Sequence, residues 1–412
     1  MNWSDLAVVS GFLIIWAVVQ PKVAQFGITS PMALVAGGLV LEHFTPFHVS
    51  LSSQNIKVLA ELALVLFLFS DAARVRLGAL RRDVSVAARL LGIGLPLTVL
   101  AGALLAWALL PGVGGWLALL VGACLAPTDA GLGAGVVTDL QVPARIRQAL
   151  NVESGLNDGI CAPVVTLAIA GVAGAHHEHL SVAAAEILGG AALGVGVGVA
   201  CGALLALGRR WGALEQGPMA VAAVAVALGC YALSQVLAVN GFVACFVAGL
   251  CFGTFRAALP EPVLYTAEDS GQLLAGLVWF AFGAAMLAPS LQSPLLWKAL
   301  LYAVASLTVV RAIPVVLSLL GTGLSSFAVG FIAWFGPRGI ASVVFTLLAI
   351  DELGGTAKTL LLPTVSLTVA LSVLAHGLSA SPLIRRLGAV EPEDPSAPQI
   401  PTRRSPTLGR PA

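Results

Sequence analysis

The chain has 412 residues, of which 58% are hydrophobic and only 10% charged, and its net charge is +1. Soluble domains carry about 45–50% apolar and about 25% charged residues, so this composition excludes a soluble globule. A net charge near zero also excludes a bulk polyanion such as nucleic acid as partner.

Apolar runs of bilayer-spanning length recur from end to end, and a membrane helix requires roughly 20 such residues, fewer where neighbours shield its ends. Thirteen segments can be drawn, at 5–20, 28–41, 55–73, 84–110, 116–140, 147–173, 182–208, 217–238, 240–256, 268–290, 295–320, 326–350 and 359–381. The second and ninth are short and begin near Gly27 and near Asn240 and Gly241. The expected fold class is an all-α membrane protein with thirteen transmembrane helices. The first segment lacks a basic leader and starts at Asp5, which predicts a retained helix rather than a cleaved signal peptide. Residues 1–384 form the expected transmembrane domain. Residues 385–412 are rich in Pro and Arg and are expected to be a disordered cytoplasmic tail.

Basic residues set the orientation. Alternate threading places Lys22, Arg74, Arg76, Arg81, Arg82, Arg145, Arg147, Arg209, Arg210, Arg256 and five tail arginines on one side, against Lys57, Lys298 and Lys358 on the other. This asymmetry predicts an N-terminus outside and a C-terminus in the cytoplasm of a bacterial inner (plasma) membrane. An even number of helices would scramble the count. Arg89 sits at a helix mouth and can snorkel. Arg311 and Arg338 have apolar sequence on both sides, so both need buried anions.

The anions are carboxylates in two adjacent segments. In the fifth, Ala126-Pro127-Thr128-Asp129 interrupts an apolar run, and in the twelfth Gly336-Pro337-Arg338-Gly339 does the same. Proline removes a backbone donor and opens the helix. Opened backbone at membrane depth is tolerated where it lines a polar cavity, and paired interruptions in the two halves point to an inverted-repeat transporter with a midplane site. The sixth segment carries Val152–Gly159, VESGLNDG, where Ser154 and Asp158 share one helical face and Glu153 and Asn157 the adjacent one. The first face, with Asp129, offers oxygen-only ligands suited to an alkali cation. Glu153 is expected to meet an arginine. No third deep arginine is left for Asp158.

These stretches carry a family resemblance. APTDAGLGAGVV followed by VPARIRQALNVESGLNDG, with LAELALVLFLFSDAARVRL at 59–77, NGFVACFVAGL at 240–250 and FGPRGIASVVF at 335–345, resembles the cation/proton antiporter-1 family of sodium/proton exchangers, in consistent order from about residue 20 to 380. The resemblance implies the inverted-repeat sodium/proton antiporter fold with two interrupted crossing helices. It implies dimerisation helices beside a six-helix ion-binding core around helices 4–6 and 11–13, assembled as a homodimer. It implies exchange of a monovalent cation, sodium first and potassium as the alternative, for a proton, with no cofactor. Asp129 and Asp158 would bind ion or proton, helped by Ser154 and the Thr128 carbonyl. Asn157 would be structural, Glu153 would pair with Arg338, and Arg311 would support the site. In one departure, Ala130 follows the Thr-Asp pair where many members have Pro, and Pro127 precedes it.

Asp71, at the inner end of the third segment, has two readings: a group on the ion path or governing pH response, or a solvated carboxylate beside Arg74. Glu61 resembles a family position without a clear role. His176, His177, Glu178 and His179 lie in an outer loop with nothing to fix their geometry, a weak zinc signal. Cys124, Cys161, Cys201, Cys230, Cys245 and Cys251 form no CxxC pair and read as small core residues. Gly194, Gly196 and Gly198 have no preceding strand and read as helix packing, not a nucleotide loop. Two other classes compete. An intramembrane aspartyl protease built on Asp129 and Asp158 lacks the GxGD signature, and a channel would present a filter ring. No GxxxxGK[ST] loop exists, which excludes an ATP-driven pump and leaves antiport.

Overall fold

The computed structural model describes residues 3–44, 54–74, 86–174, 177–212, 216–255 and 262–391. Arg76, Arg81, Arg82, Arg256, Arg403, Arg404, Arg410 and His176 lie outside the described residues, as do the side chains of His177 and Glu178. Every regular element described is helical. α1 (Trp3–Val23) closes through a short 3-10 turn onto Gly27, whose φ of +80° favours glycine. α2 (Ser30–Phe44), α3 (Gln54–Arg74) and α4 (Val86–Leu109) follow. Then come α5a (Gly115–Leu125), the single turn α5b (Ala134–Val137) and α6 (Ala144–Ala173). α7 (His177–Arg210), α8 (Gln216–Val236) and α9 (Gly241–Gly253) complete the middle of the chain. α10 runs from Pro262 to Ser290 and α11 from Leu296 to Ser318. α12a (Ser326–Trp334), α12b (Ile340–Leu353) and α13 (Gly355–Val390) end the described chain.

Eight of these helices are long and apolar enough to cross a membrane, and α5a and α9 are shorter apolar helices. An all-helical integral membrane protein is the result, as expected from composition. The interruptions also fall where proline and charge were expected to put them, between α5a and α5b and between α12a and α12b. Three π-helical turns were not anticipated: Leu90–Gly94 in α4, Phe282–Leu287 in α10 and Ser306–Val310 in α11. The last immediately precedes Arg311. A π turn offsets the helical faces on its two sides and is frequent at functional sites.

One boundary is corrected. α13 extends through Val390, so residues 385–390 are helical and not tail. Ile384 and Leu387 bury against α12a residues including Phe331 and Ile332, and the Arg386 guanidinium lies 5.4 Å from the centre of the Phe327 ring. Of the tail arginines, Arg385 and Arg386 are exposed on an anchored last turn.

Packing partners separate two sets of helices. α4, α5a, α6, α11, α12b and α13 pack chiefly on one another, while α2, α3, α7, α8, α9 and α10 form the other set. The sets meet where α13 packs against the end of α10, where α3 lies against α6 and α12b, and where α6 reaches α7 and α9. At the last contact Asn240 caps α9 by accepting from the Val243 N–H (2.9 Å), and its amide donates to Thr166 Oγ1 on α6 (2.7 Å). Lys57 on α3 also ion-pairs with Asp351 on α12b and lies 3.9 Å from Glu61. Glu61 therefore belongs to a contact between the two sets.

α7 approaches α9 so closely that only glycine fits at two points. A Cβ on Gly194 would strike the Ala244 carbonyl, and one on Gly198 the Ala248 carbonyl. Gly196 has open space and faces outward. The packing role expected of the three glycines holds for Gly194 and Gly198 alone. Gly194→Ala and Gly198→Ala should each destabilise the protein by about 1–3 kcal/mol through forced separation of the helices. Gly196→Ala should be neutral or stabilising by up to about 1 kcal/mol. Thermal unfolding of the three variants in detergent checks this ordering.

Candidate ion-binding site at the helix crossing

Both interrupted helices leave backbone groups that the apolar surroundings cannot solvate. A helix end has four unpaired carbonyls or N–H groups, and an unsatisfied one in a membrane costs several kcal/mol. The two breaks satisfy each other. The Arg338 guanidinium, from the α12 break, donates to the Ala126 carbonyl at the end of α5a and to the Pro127 carbonyl (3.2 Å). Asp129, from the α5 break, accepts the Ile340 N–H at the start of α12b on Oδ2 (3.0 Å) and the Leu132 N–H on Oδ1 (3.0 Å). Between them the Asp129 N–H donates to the Pro337 carbonyl (2.7 Å). A cation thus meets the negative end of one half-helix and a carboxylate the positive end of the other, the arrangement helix dipoles favour.

Glycine makes the close crossing possible. A Cβ on Gly339 would overlap the Asp129 carboxylate, and one on Gly336 would overlap the Arg311 guanidinium. Arg338 is fully buried and Arg311 is 2% exposed.

The structure overturns one pairing. Glu153 does not meet Arg338; it forms a two-pronged ion pair with Arg311, with Nη1–Oε1 at 2.9 Å and Nη2–Oε2 at 3.1 Å. Glu153 is 3% exposed, so the pair is dry on both sides. The physical reason is the fork geometry: Arg311 on α11 faces α6 squarely and matches both carboxylate oxygens. Arg338 is drawn instead to the carbonyls of the broken α5.

Along α6 the two expected stripes do not stay apart, because Asn157 and Ser154 converge on the Thr128 hydroxyl while Glu153 turns to Arg311. Asn157 is fully buried and donates to Thr128 Oγ1 (2.6 Å), which also lies 2.9 Å from Ser154 Oγ. This small network fixes the α5 break against α6. Thr128 was expected to contribute its carbonyl; what the geometry displays is its hydroxyl, joining Ser154 to Asn157. Asp158 differs from the other carboxylates of the site: its Oδ1 is buried and accepts no hydrogen bond from the protein. Its carboxylate lies within electrostatic reach of those of Asp129 and Asp71.

Asp71 is half-buried on α3 and packs against Gly155, one turn before Asp158; a Cβ on Gly155 would stand 3.3 Å from the Asp71 Cβ. Arg74, one turn further along α3, ion-pairs with Glu268 of α10. The structure therefore gathers Asp71, Thr128, Asp129, Ser154, Asn157 and Asp158 at one place and sets Glu153 and Arg311 behind it. Sequence reasoning missed Ser372 and His376 of α13, which contact the α12 break. The available signal was a serine and a histidine one turn apart in an apolar helix.

Comparisons with known proteins agree with this geometry. The family model described as sodium/hydrogen exchanger, transmembrane, matches residues 9–386. The potassium/proton antiporter NhaP of Alkalimonas amylolytica is 28% identical over 343 residues, covering 82% of this chain and 58% of that protein. The potassium/proton antiporter NhaP2 of a Shewanella species is 25% identical over 383 residues, covering 90% of this chain and 65% of that one. The chain thus spans somewhat more than half the length of these curated relatives. Among solved structures, the sodium proton antiporter MjNhaP1 of Methanocaldococcus jannaschii superposes with a TM-score of 0.71 at 19% identity, covering 91% of this chain and 98% of that one.

Removing one member of a buried ion pair strands the other charge. Glu153→Ala and Arg311→Ala should therefore each cost about 3–5 kcal/mol and reduce the folded fraction recovered in detergent. Gly339→Ala should instead displace the Asp129 carboxylate. Its expected signature is weakened cation binding, measured by isothermal titration in detergent, with a smaller fall in melting temperature than Glu153→Ala.

Proposed function

We propose a function from one premise: this chain belongs to the sodium/hydrogen exchanger family of membrane transporters. It is a secondary antiporter that exchanges a monovalent cation for a proton, not an enzyme, and it needs no cofactor. The single observation that carries the reading is Asp158, whose buried Oδ1 lacks a protein partner beside Ser154, Thr128 and Asp129. A carboxylate oxygen buried without a donor calls for a proton or a cation.

Charge accounting supports competition at that one group. Glu153 and Arg311 neutralise each other. Asp129 and Arg338 exchange their charges for the backbone groups of the opposite broken helix. Asp158 is left. A cation and a proton cannot both satisfy it, so one should leave as the other arrives, giving 1:1 electroneutral exchange. Asp129, Ser154 and the Thr128 carbonyl complete the cation's oxygen ligands. Asn157 holds the break in place. Asp71, at the contact of the two helix sets, lies on the ion's approach to Asp158.

The set α4–α6 and α11–α13 is the ion-binding core, and the remaining helices form the dimerisation scaffold of a homodimer. The chain crosses the bacterial inner membrane thirteen times, with its N-terminus outside. Sodium is the proposed cation. Potassium is the second reading, favoured by the names of the two curated relatives.

Asp158→Asn can neither release a proton nor neutralise a cation, and it should abolish exchange in everted vesicles. More than a small residual exchange by that variant would sink the assignment. In proteoliposomes supplied in turn with sodium, potassium and lithium, sodium should give the fastest proton movement. A net charge crossing 100 mV is worth roughly 2.3 kcal/mol, so an electroneutral cycle should run at the same rate under every imposed potential. A rate that scales with potential would point to a second proton carrier, Asp129 or Asp71.

A further inference from the structure

Four polar groups join the α12 break to α13. The Arg338 N–H donates to Ser372 Oγ (2.7 Å), Ser372 Oγ lies 3.1 Å from His376 Nδ1, and His376 Nε2 lies 2.8 Å from the Trp334 carbonyl oxygen. A carbonyl oxygen only accepts, and each ring nitrogen faces one: Nε2 the Trp334 carbonyl, and Nδ1 the Ser372 carbonyl at 2.9 Å. In the Nε2–H form of the ring, Nε2 donates to Trp334 and Nδ1 accepts from the Ser372 hydroxyl, which itself accepts from the Arg338 N–H. Ser372 is fully buried and His376 is 3% exposed.

The relay grips both ends of the unwound segment, Trp334 at the close of α12a and Arg338 just before α12b. Between them lies Pro337, whose carbonyl accepts the Asp129 N–H, and just beyond lies the Ile340 N–H that Asp129 Oδ2 accepts. The Trp334 indole adds a bond to Ser379 Oγ (2.8 Å) and its ring lies 5.2 Å from the His376 ring. We infer that Ser372 and His376 are positioning residues for the ion site: through the α12 break they set where Asp129 stands relative to Asp158. Neither touches the ion. Each acts by holding the backbone that holds Asp129.

The test uses the full-length protein with Ser372→Ala, Ser372→Thr, His376→Phe and His376→Gln. Thr keeps the hydroxyl, and the Gln amide can donate to Trp334 as Nε2 does. Loss of one neutral hydrogen bond should raise the apparent KM for sodium about fivefold in Ser372→Ala and His376→Phe, with kcat changed less than about twofold if only the site's shape is altered. The Thr and Gln variants should stay near the parent. Hydrogen exchange by mass spectrometry should show faster exchange confined to the peptides carrying residues 334–341 and 126–132 in the same two variants. The inference is overturned if those peptides exchange at the parental rate in both Ser372→Ala and His376→Phe, or if Thr and Gln are as impaired as Ala and Phe. The KM arm rests on the antiport reading; the exchange arm does not. A parent protein that moves no cation would defeat that reading while the exchange rates still decide the roles of Ser372 and His376.

Discussion

The structure depends on one constraint: two helices are broken inside an apolar protein, and the ends they expose have no solvent. An isolated break of this kind would leave carbonyls on one side and N–H groups on the other, each costing several kcal/mol. Placing the breaks against each other turns two liabilities into one joint. Arg338 covers the carbonyl end of α5a, Asp129 covers the N–H end of α12b, and a backbone bond from Asp129 to Pro337 sits between them. Neither charge could be buried alone. Each meets partial charges of opposite sign at the opposite half-helix, Arg338 through its Nη1 on the Ala126 and Pro127 carbonyls.

The second ion pair follows from the first. Because Arg338 is committed to backbone carbonyls, Glu153 requires another cation, and Arg311 supplies it from α11. Gly336 lets the Arg311 guanidinium lie against the α12 break, where any side chain would collide with it. The Glu153–Arg311 pair thus braces α6 and α11 on either side of the crossing. Isolated buried ion pairs add little net stability because desolvation offsets attraction. Here the pair fixes geometry, holding the face of α6 that carries Ser154 and Asp158 toward the α5 break.

Much of this was legible in the sequence, and the misses have physical causes. The breaks were visible because Pro127 and Pro337 each sit beside a charge within an apolar run, a combination local chemistry explains. The shared face of Ser154 and Asp158 on α6 was visible from their spacing, whereas the turn of Asn157 away from Glu153 and onto Thr128 was not. The partner of Glu153 was not visible. Arg311 and Arg338 are equally deep in one-dimensional hydropathy, and only three-dimensional facing, set partly by the π turn at Ser306–Val310, distinguishes them. His376 and Ser372 were missed because one turn of polar spacing in an apolar helix has many bland explanations. The end of α13 was misplaced because arginines flanking Ile384 and Leu387 look the same on an anchored last turn as in a tail.

The contrast between the two aspartates at the crossing carries the proposed mechanism furthest. Asp129 accepts two backbone N–H groups and is held by its own N–H as well, so its charge is already compensated by the fold. Asp158, close enough to repel it, has a buried oxygen with no protein donor at all. On the proposed reading, a carboxylate held by backbone N–H groups serves as a fixed ligand. An unsatisfied one must take up a positive partner and can exchange it, since no protein bond has to break. The asymmetry arises from position alone: Asp129 stands inside a helix break with exposed N–H groups, whereas Asp158 stands mid-helix, where every nearby N–H is already used by the helix itself. On the proposed reading, the two aspartates are thereby divided into a ligand that stays and a carrier that turns over.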